Sequence, residues 1–314
     1  MLTVQVMRRR VVADNIIALE LRSAAGATLP AFSAGAHIDV MLPNGLMRQY
    51  SLLNDPVETH RYEIAILRDP NSRGGSLSAH ADIREGTALN IGEPRNLFPL
   101  APEGGALLFA GGIGVTPLLA MAHTLHRLGR AFALHYCTRT KSAAAFRDEL
   151  RAGPFGGAMW FHTDDGPASQ KLDAAAVLAA ASPGTHIYVC GPAGFIAHIY
   201  ATARAAGWAE DRLHSESFAA TPAAPGGEFN LRLTKRGIVV PVRAEQSALD
   251  ALLAVGVDLP VSCEQGICGT CVTRVLEGEP EHRDSFLTKA ERARNNCFTP
   301  CVSRARTQEL VLDL

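Results

Sequence analysis

The sequence predicts a multidomain chain: an antiparallel β-barrel, an α/β domain on a parallel sheet, and a small α+β domain, in that order. Three observations predict it. From Thr3 to about Leu100, short β-like runs follow one another between turn signals, with no long helical period among them. From residue 105 to 220, strand-like and helix-like runs alternate, and glycine clusters stand where strands end. Near the C-terminus Cys263, Cys268 and Cys271 crowd one loop, and Cys301 follows after 29 intervening residues. A length of 314 residues exceeds one ordinary domain. The expected boundaries are 1–101, 102–220 and 228–314, with a linker at 221–227 inside the Ala-, Pro- and Gly-rich stretch Ala219–Gly227.

Bulk composition narrows the function classes. A hydrophobic share of 47% supplies several cores, and a net charge of −1 argues against nucleic-acid or anionic-membrane partners. Seven cysteines in so long a chain do not form a secreted disulfide scaffold. With four at one site, Cys137, Cys190 and Cys297 remain, an odd number that fits free thiols in a reducing compartment. The opening residues carry positive charge with no apolar stretch behind it, so no secretory signal is read and a cytoplasmic location is expected. Gly104–His126 contains no Asp, Glu, Lys or Arg and is long enough to resemble a membrane span. Gly111, Gly112, Gly114 and Pro117 punctuate its middle, however, and a strand, loop and helix explain them better.

In the first domain the expected strands are Val4–Val12, Ile16–Leu21, Ala36–Met41, Arg48–Leu52 and Tyr62–Leu67, with a hairpin turn at Pro43, Asn44 and Gly45. Arg48 and Tyr50 alternate on one face of their strand, where a cation and an aromatic ring suit a planar, phosphorylated ligand; an ordinary core or edge tyrosine is the plainer alternative. Arg73, Gly74, Gly75 and Ser76 precede a helix that includes Ala79–Asp82. Glycines before a helix start expose backbone N–H groups to an anion, although a simple turn and cap reads equally well. Together the two motifs point to a phosphate-bearing cofactor.

In the second domain Ala106–Ala110 is a continuous apolar strand, Gly111–Gly114 a tight turn, and Thr116 and Pro117 the start of a helix. The spacing is not G-x-G-x-x-G, yet a strand end, close backbone approach and a helix start are what a dinucleotide site needs. Strands at Ala131–Tyr136, Trp160–Thr163 and His186–Cys190 alternate with helices around Ala143–Arg151, Leu172–Ala180 and Ala193–Ala206. Such repeats imply an open parallel sheet with its ligand at the carboxyl ends of the strands. Cys190, Gly191 and Pro192 occupy one such end, and Cys190 is either a small strand-end residue or a neighbour of the reactive ring. His214–Phe218 closes the domain, with Phe218 either stacked on a ligand ring or a hydrophobic plug.

In the third domain Phe229–Thr234 and Gly237–Val242 form a hairpin, Ala248–Ala254 a helix, and Val272–Glu277 and Leu310–Leu314 further strands. Four thiolates spaced C-x4-C-x2-C…C match the plant-type ligand pattern of a [2Fe–2S] cluster. Gly266 and Gly269 let the loop wrap a compact core. A closed zinc site and plain buried thiols are the alternatives. Cys297 is a rival for the fourth position; Cys301 is preferred for its interval and the following Val302, Ser303 and Arg304.

These motifs, in this order, resemble the phthalate dioxygenase reductase family, which includes vanillate O-demethylase-type reductases. The resemblance spans the whole chain and rests on Arg48–Leu52, Arg73–Ser76, Pro94–Pro99, Gly111–Pro117, Cys190–Pro192 and the Cys263, Cys268, Cys271 loop. Ile267 and Thr270 in the loop, and Phe195 and Ile196 after Pro192, depart from the usual pattern without removing a ligand. It implies a flavin-binding barrel, an NAD(P)-binding α/β domain and a ferredoxin-like β-grasp domain. Further implied are FMN, NADH and a [2Fe–2S] cluster, and a monomeric reductase serving the Rieske-type terminal oxygenase of an aromatic or related substrate. Flavin contacts would come from Arg48, Gln49, Tyr50, Ser51, Ala65, Leu67, Gly74, Gly75, Ser76 and Phe218. Nucleotide contacts would come from Gly112, Thr116, Thr138, Arg139, Cys190, Gly191 and Pro192, with Arg139 placed to admit NADPH. Ser51, Cys190 and Glu216 would be catalytic, and Cys263, Cys268, Cys271 and Cys301 the cluster ligands. The rival functions are an iron–sulfur redox sensor, a free-flavin reductase and a zinc-stabilised module.

Overall fold

In the computed structural model the chain divides into two compact units, Met1–Phe218 and Ala219–Leu314. The structure describes every residue except Asn71, Arg73, 219–225, Ser262, Gln265, Ile267 and Ser285. Most of the expected linker, Arg73 of the glycine motif and Ile267 of the cysteine loop therefore lie outside the described residues.

The first unit begins with β1 (Leu2–Ala13), β2 (Ile16–Ser23), β3 (His37–Met41), β4 (Met47–Ser51), β5 (Tyr62–Leu67), α1 (Gly75–Asp82) and β6 (Ala88–Ile91). These strands form one antiparallel sheet in the order β4-β3-β6-β1-β2-β5. Alternation sets its faces: Val4 and Val6 of β1 are buried while Thr3, Gln5 and Met7 are exposed. The β3–β4 hairpin turns at Gly45, whose φ of +80° suits glycine. The sheet curls, and just beyond β4 the amide of Leu53 donates to Glu63 O on the opposite edge strand, at 3.0 Å. Val4, Leu19, Ile38, Val40, Leu52, Ile64 and Ile91 fill its inside. Full burial of each such side chain contributes about 1.5–3 kcal/mol.

The rest of the unit contains β7 (Ala106–Gly111), α2 (Val115–Arg127), β8 (Phe132–Thr138), α3 (Arg147–Ala152), β9 (Met159–Thr163), α4 (Ala174–Ala179), β10 (His186–Cys190), α5 (Ala193–Ala205) and β11 (Leu213–Glu216). Its five strands are all parallel, in the order β11-β10-β7-β8-β9. Central β7 is buried along its whole length, as its unbroken apolar run predicts. The charge-free stretch Gly104–His126 is thus a strand, a 3-10 turn and most of a helix. Among the described residues no helix is long and apolar enough to cross a membrane. One core joins the two sheets, bringing Ile16, Ala18, Leu53, Ala65 and Phe98 from the antiparallel part together with Leu118, Tyr136 and Cys190 from the parallel part.

In this unit one helix and two strands differ from expectation. The helix expected around Ala143–Arg151 begins only at Arg147. The Ala145 amide donates to the Tyr136 hydroxyl at 3.0 Å, and Phe146 takes φ +59°, so the backbone turns before a helix can form. Strands β6 and β11 were not foreseen, because four residues with a polar alternate carry little periodic signal.

The second unit contains β12 (Phe229–Leu233), β13 (Ile238–Val242), α6 (Ala248–Ala254), β14 (Thr273–Glu277), β15 (Pro280–Glu281), α7 (Lys289–Ala293), β16 (Cys297–Phe298), β17 (Arg304–Ala305) and β18 (Glu309–Leu312). A mixed sheet runs β13-β12-β18-β14-β16, in which only β12 and β18 are parallel, and β15 pairs with β17. Helix α6 is capped by Ser247, whose hydroxyl accepts from the Asp250 amide, and buries Leu249 and Leu252 among Leu231, Val242 and Leu310. The short α7 carries a full capping box, Thr288 with Glu291.

Candidate functional site

The first cluster forms where β4 meets the start of α1. The space that a side chain on Gly75 would fill is taken by Arg48: a Cβ there would lie 3.0 Å from Arg48 Nε and 3.1 Å from its Cγ. The guanidinium, the left-handed Gly74 (φ +90°) and the free amides of the first helical turn thus converge on one point. Arg48 Nη1 donates to Met47 O, and Asn44 Nδ2 holds Gly74 O at 3.2 Å. Ser76 Oγ is occupied instead by Asp69, accepting from its amide at 3.1 Å. Tyr50 packs against the core of the curled antiparallel sheet, and burial raises its hydroxyl pKa. Ser51 Oγ is buried and has no hydrogen-bond partner, which is costly unless a ligand supplies one. Gln49 turns away, donating to Asp39 Oδ1 at 3.0 Å beside His37. Burial, and then the charge of Arg95, lower His37 to about 4. Ala65 lies in the shared core, whereas Leu67 is 39% exposed at the strand end.

The second cluster lies at the carboxyl ends of β7 and β10. Gly111 and Gly191 pack backbone to backbone, since a Cβ on Gly191 would lie 2.9 Å from Gly111 Cα. A Cβ on Gly114 would overlap the Cys190 carbonyl. Gly112, at φ +58°, faces open space. Gly111, Gly114 and Gly191 therefore let the ends of β7, the turn and β10 pack backbone against backbone, which leaves the Gly112 backbone open to a ligand. Cys190 is fully buried, and burial followed by the Glu216 charge pushes its thiol well up. In the parallel register Cys190 pairs with Glu216, so both stand at the same sheet edge. Burial raises the Glu216 carboxyl to about 8, and its Oε2 has no partner. Its surroundings therefore favour the protonated, neutral acid. Thr116 Oγ1 donates to Ile113 O at 3.1 Å, and Thr138 Oγ1 to Thr140 O at 2.9 Å. Arg139 is exposed beside the same turn, Pro192 caps α5, and Phe218 packs on the shared core.

The third cluster belongs to the second unit. Cys263, Cys268, Cys271 and Cys301 are 4–7% exposed. The sulfurs of Cys271 and Cys301 lie 3.3 Å apart, and the Thr270 amide donates to Cys268 Sγ at 3.4 Å. Hydrogen bonding to Cys263, against the opposing effect of burial, brings Cys268 down to about 5, towards the thiolate that binds metal. Glu264, Gly266 and Gly269 all take positive φ, which bends the loop around its centre. Cys297 lies on β16, paired with the exposed Arg274, and is only partly buried, whereas Cys271 and Cys301 are buried together. Cys271 and Cys301 line the apolar core of the second unit, and among the described residues no three ligand-type side chains already surround a metal-sized space; two thiol pairs, one of them lowered towards the thiolate, are the donor chemistry of a thiolate-bound metal centre. Phe286 covers Gly269, and buried Asp284 lies against Gly266; neither was legible from motif spacing, because both lie well beyond the ligand loop.

Close-packed glycines at the carboxyl ends of a parallel sheet beside a buried thiol and a buried carboxyl, with a three-cysteine loop and a fourth cysteine in a second unit, are the features of a pyridine-nucleotide oxidoreductase with an iron–sulfur centre. Residues 231–306 match the 2Fe-2S iron-sulfur cluster binding domain family, and residues 108–200 the oxidoreductase NAD-binding domain family. Over 318 aligned residues the chain is 53% identical to vanillate O-demethylase oxidoreductase of a Pseudomonas sp., covering 100% of both. It is 40% identical to the phthalate 4,5-dioxygenase oxygenase reductase subunit of Pseudomonas putida, covering 99% of this chain and 96% of the relative. A solved structure, described as phthalate dioxygenase reductase and as modular for electron transfer from pyridine nucleotides to [2Fe–2S], matches with a TM-score of 0.78 and 39% identity. That match covers 100% of this chain and 98% of the other. The chain belongs to the phthalate dioxygenase reductase family, the reductase components of oxygenase systems.

Proposed function

We propose that this reductase takes electrons from NADH through FMN and a [2Fe–2S] cluster to a Rieske-type terminal oxygenase acting on an aromatic or related substrate. The observation that carries the reading is a pair of buried, unpartnered oxygens, Ser51 Oγ and Glu216 Oε2, in the unit that also holds Cys190. When bound, flavin and cluster supply the conversion of one hydride into two single-electron transfers. Arg48, Gly74, Gly75 and the first amides of α1 would hold the flavin phosphate, with Ser76 bracing the loop. Tyr50, Ala65 and Leu67 would line the ring, Ser51 would donate to it, and Phe218 would cover it. Gln49 acts one step back, orienting β4 through Asp39.

The open backbone at Gly112, with Gly191 and Pro192 beside it and Thr116, Thr138 and Arg139 nearby, would receive the dinucleotide. Cys190 keeps its proton and excludes water beside the hydride path, and the neutral Glu216 carboxyl holds a proton at Oε2. The curled sheet is read as a closed barrel, the second unit as a β-grasp ferredoxin domain. Domain limits of 1–101, 102–220, 221–227 and 228–314 suit these roles, as do a monomer and a cytoplasmic location. Named relatives serve substrates as unlike as vanillate and tert-butanol, which suits a chain that never touches the organic substrate. An anaerobic NADH titration followed in the visible region tests the reading. Bleaching of separate flavin and cluster bands is expected; a flavin that bleaches in protein lacking any cluster band would overturn it, and tenfold better kcat/KM with NADPH would reassign the nucleotide.

A further inference from the structure

Asp284 is the only aspartate or glutamate buried among the described residues of the second unit, and its side chain is fully excluded from solvent. It lies where three segments around the four cysteines meet. Its Oδ2 accepts from the Leu287 amide at 2.7 Å, and its Oδ1 from Ser303 Oγ at 3.4 Å, two residues beyond Cys301. Gly266, between Cys263 and Cys268, presses on it: a Cβ at Gly266 would lie 3.1 Å from Asp284 Cβ. The Gly266 backbone in turn donates a hydrogen bond to the Cys301 sulfur. The turn closed by the Leu287 bond also places Phe286, whose ring fills the space a side chain on Gly269 would need, between Cys268 and Cys271. Phe286 is 37% exposed, a large aromatic spent on covering a glycine of the ligand loop.

The charge on Asp284 is only loosely balanced. Arg292 Nη2 stands 3.6 Å from Oδ2 and also donates to the Asp284 carbonyl, while His282 Nδ1 stands 3.6 Å from Oδ1. At 3.6 Å these are charge contacts, not hydrogen bonds. A burial cost of this kind is tolerated where the charge has a task.

We propose that Asp284 is the positioning residue of the iron–sulfur centre: it fixes the three-cysteine loop against the Cys301 segment, and its buried negative charge holds the reduction potential down. The proposal rests on the reading that the four cysteines hold a [2Fe–2S] cluster. Adding an electron to a centre beside a fixed anion is disfavoured, and interior charges act at longer reach than surface ones. Asp284→Asn keeps an acceptor for Leu287 and removes the charge; Arg292→Leu removes the nearest cation and leaves Asp284 in place.

The test is a redox titration of the full-length protein by electron paramagnetic resonance, with iron and acid-labile sulfide measured on each sample. Asp284→Asn is expected to keep its iron and shift the reduction equilibrium about tenfold towards the reduced form, a rise of about 59 mV for a one-electron couple. Arg292→Leu is expected to shift it the opposite way. Asp284→Ala, which also loses the Leu287 acceptor, should lose iron several-fold faster on desalting. Wild-type potentials and line shapes in both Asp284→Asn and Arg292→Leu would overturn the proposal. If Asp284→Asn does not fold, an unshifted Arg292→Leu overturns it alone. A wild-type protein without iron and sulfide would instead overturn the cluster reading beneath it.

Discussion

Glu216 gives the sharpest pH prediction. Burial holds its carboxyl at about 8, against an ordinary glutamate value near 4.5. In the unfolded chain the group ionises as pH rises past 4.5, while in the folded chain it stays protonated until about 8. The stability it supports is therefore fully present below about 4.5, falls through the interval, and is gone above about 8. The full shift corresponds to about 5 kcal/mol, and solvent relaxation around a residue that is only partly buried reduces this to about 2–3 kcal/mol. Glu216→Gln keeps the shape, a donor and an acceptor, and removes the titration. At pH 5 the two proteins should melt together. At pH 9 the variant should melt about 5–10 °C higher, at about 2–4 °C per kcal/mol for a unit of this size. The assay is thermal unfolding by circular dichroism from pH 5 to 9, on protein with its cofactors bound. Parallel melting curves across that range would refute the buried, proton-holding Glu216. If the carboxyl also serves the hydride step, the more stable variant should reduce its flavin with NADH at least tenfold more slowly, read by stopped flow.

Other perturbations follow from single contacts. Gly114→Ala drives a methyl into the Cys190 carbonyl and should cost about 2–3 kcal/mol while weakening NADH binding, both measurable by denaturant titration and KM. Cys301→Ser should abolish the cluster's visible bands, whereas Cys297→Ser should keep them, because Cys297 belongs to β16; equal iron content in the two would reverse the ligand assignment. Arg304 is 2% exposed and donates to the carbonyls of Gln246, Gly227 and Arg243 at 2.9–3.0 Å. Arg304→Ala should therefore destabilise the second unit by about 3–5 kcal/mol, seen as earlier cluster loss on heating.

The bent cysteine loop was legible because the spacing of its cysteines and glycines is local. Three cysteines within nine residues require a tightly bent chain, and Gly266 and Gly269, with Glu264, take the positive φ that bends it. The β7 turn and α2 were legible for the same reason, since an apolar strand, clustered glycines and Pro117 impose their geometry within a dozen residues. Arg48 and Tyr50 were placed on a strand correctly, yet nothing local said that Arg48 would fill the hollow at Gly75, or that Gln49 would pair with Asp39. Those contacts join segments brought together only when the sheet curls.

By itself, then, the sequence determined the parallel-sheet domain before the cysteine-rich one, the cysteine spacing and the strand-end glycines, because each is a short-range feature of backbone or composition. Only the tertiary structure decided the charge state of Glu216, the unpartnered Ser51 Oγ, and the meeting of Gly266, Ser303 and Leu287 on Asp284. Desolvation depends on what closes over a group, and that is set by chain segments far away in sequence.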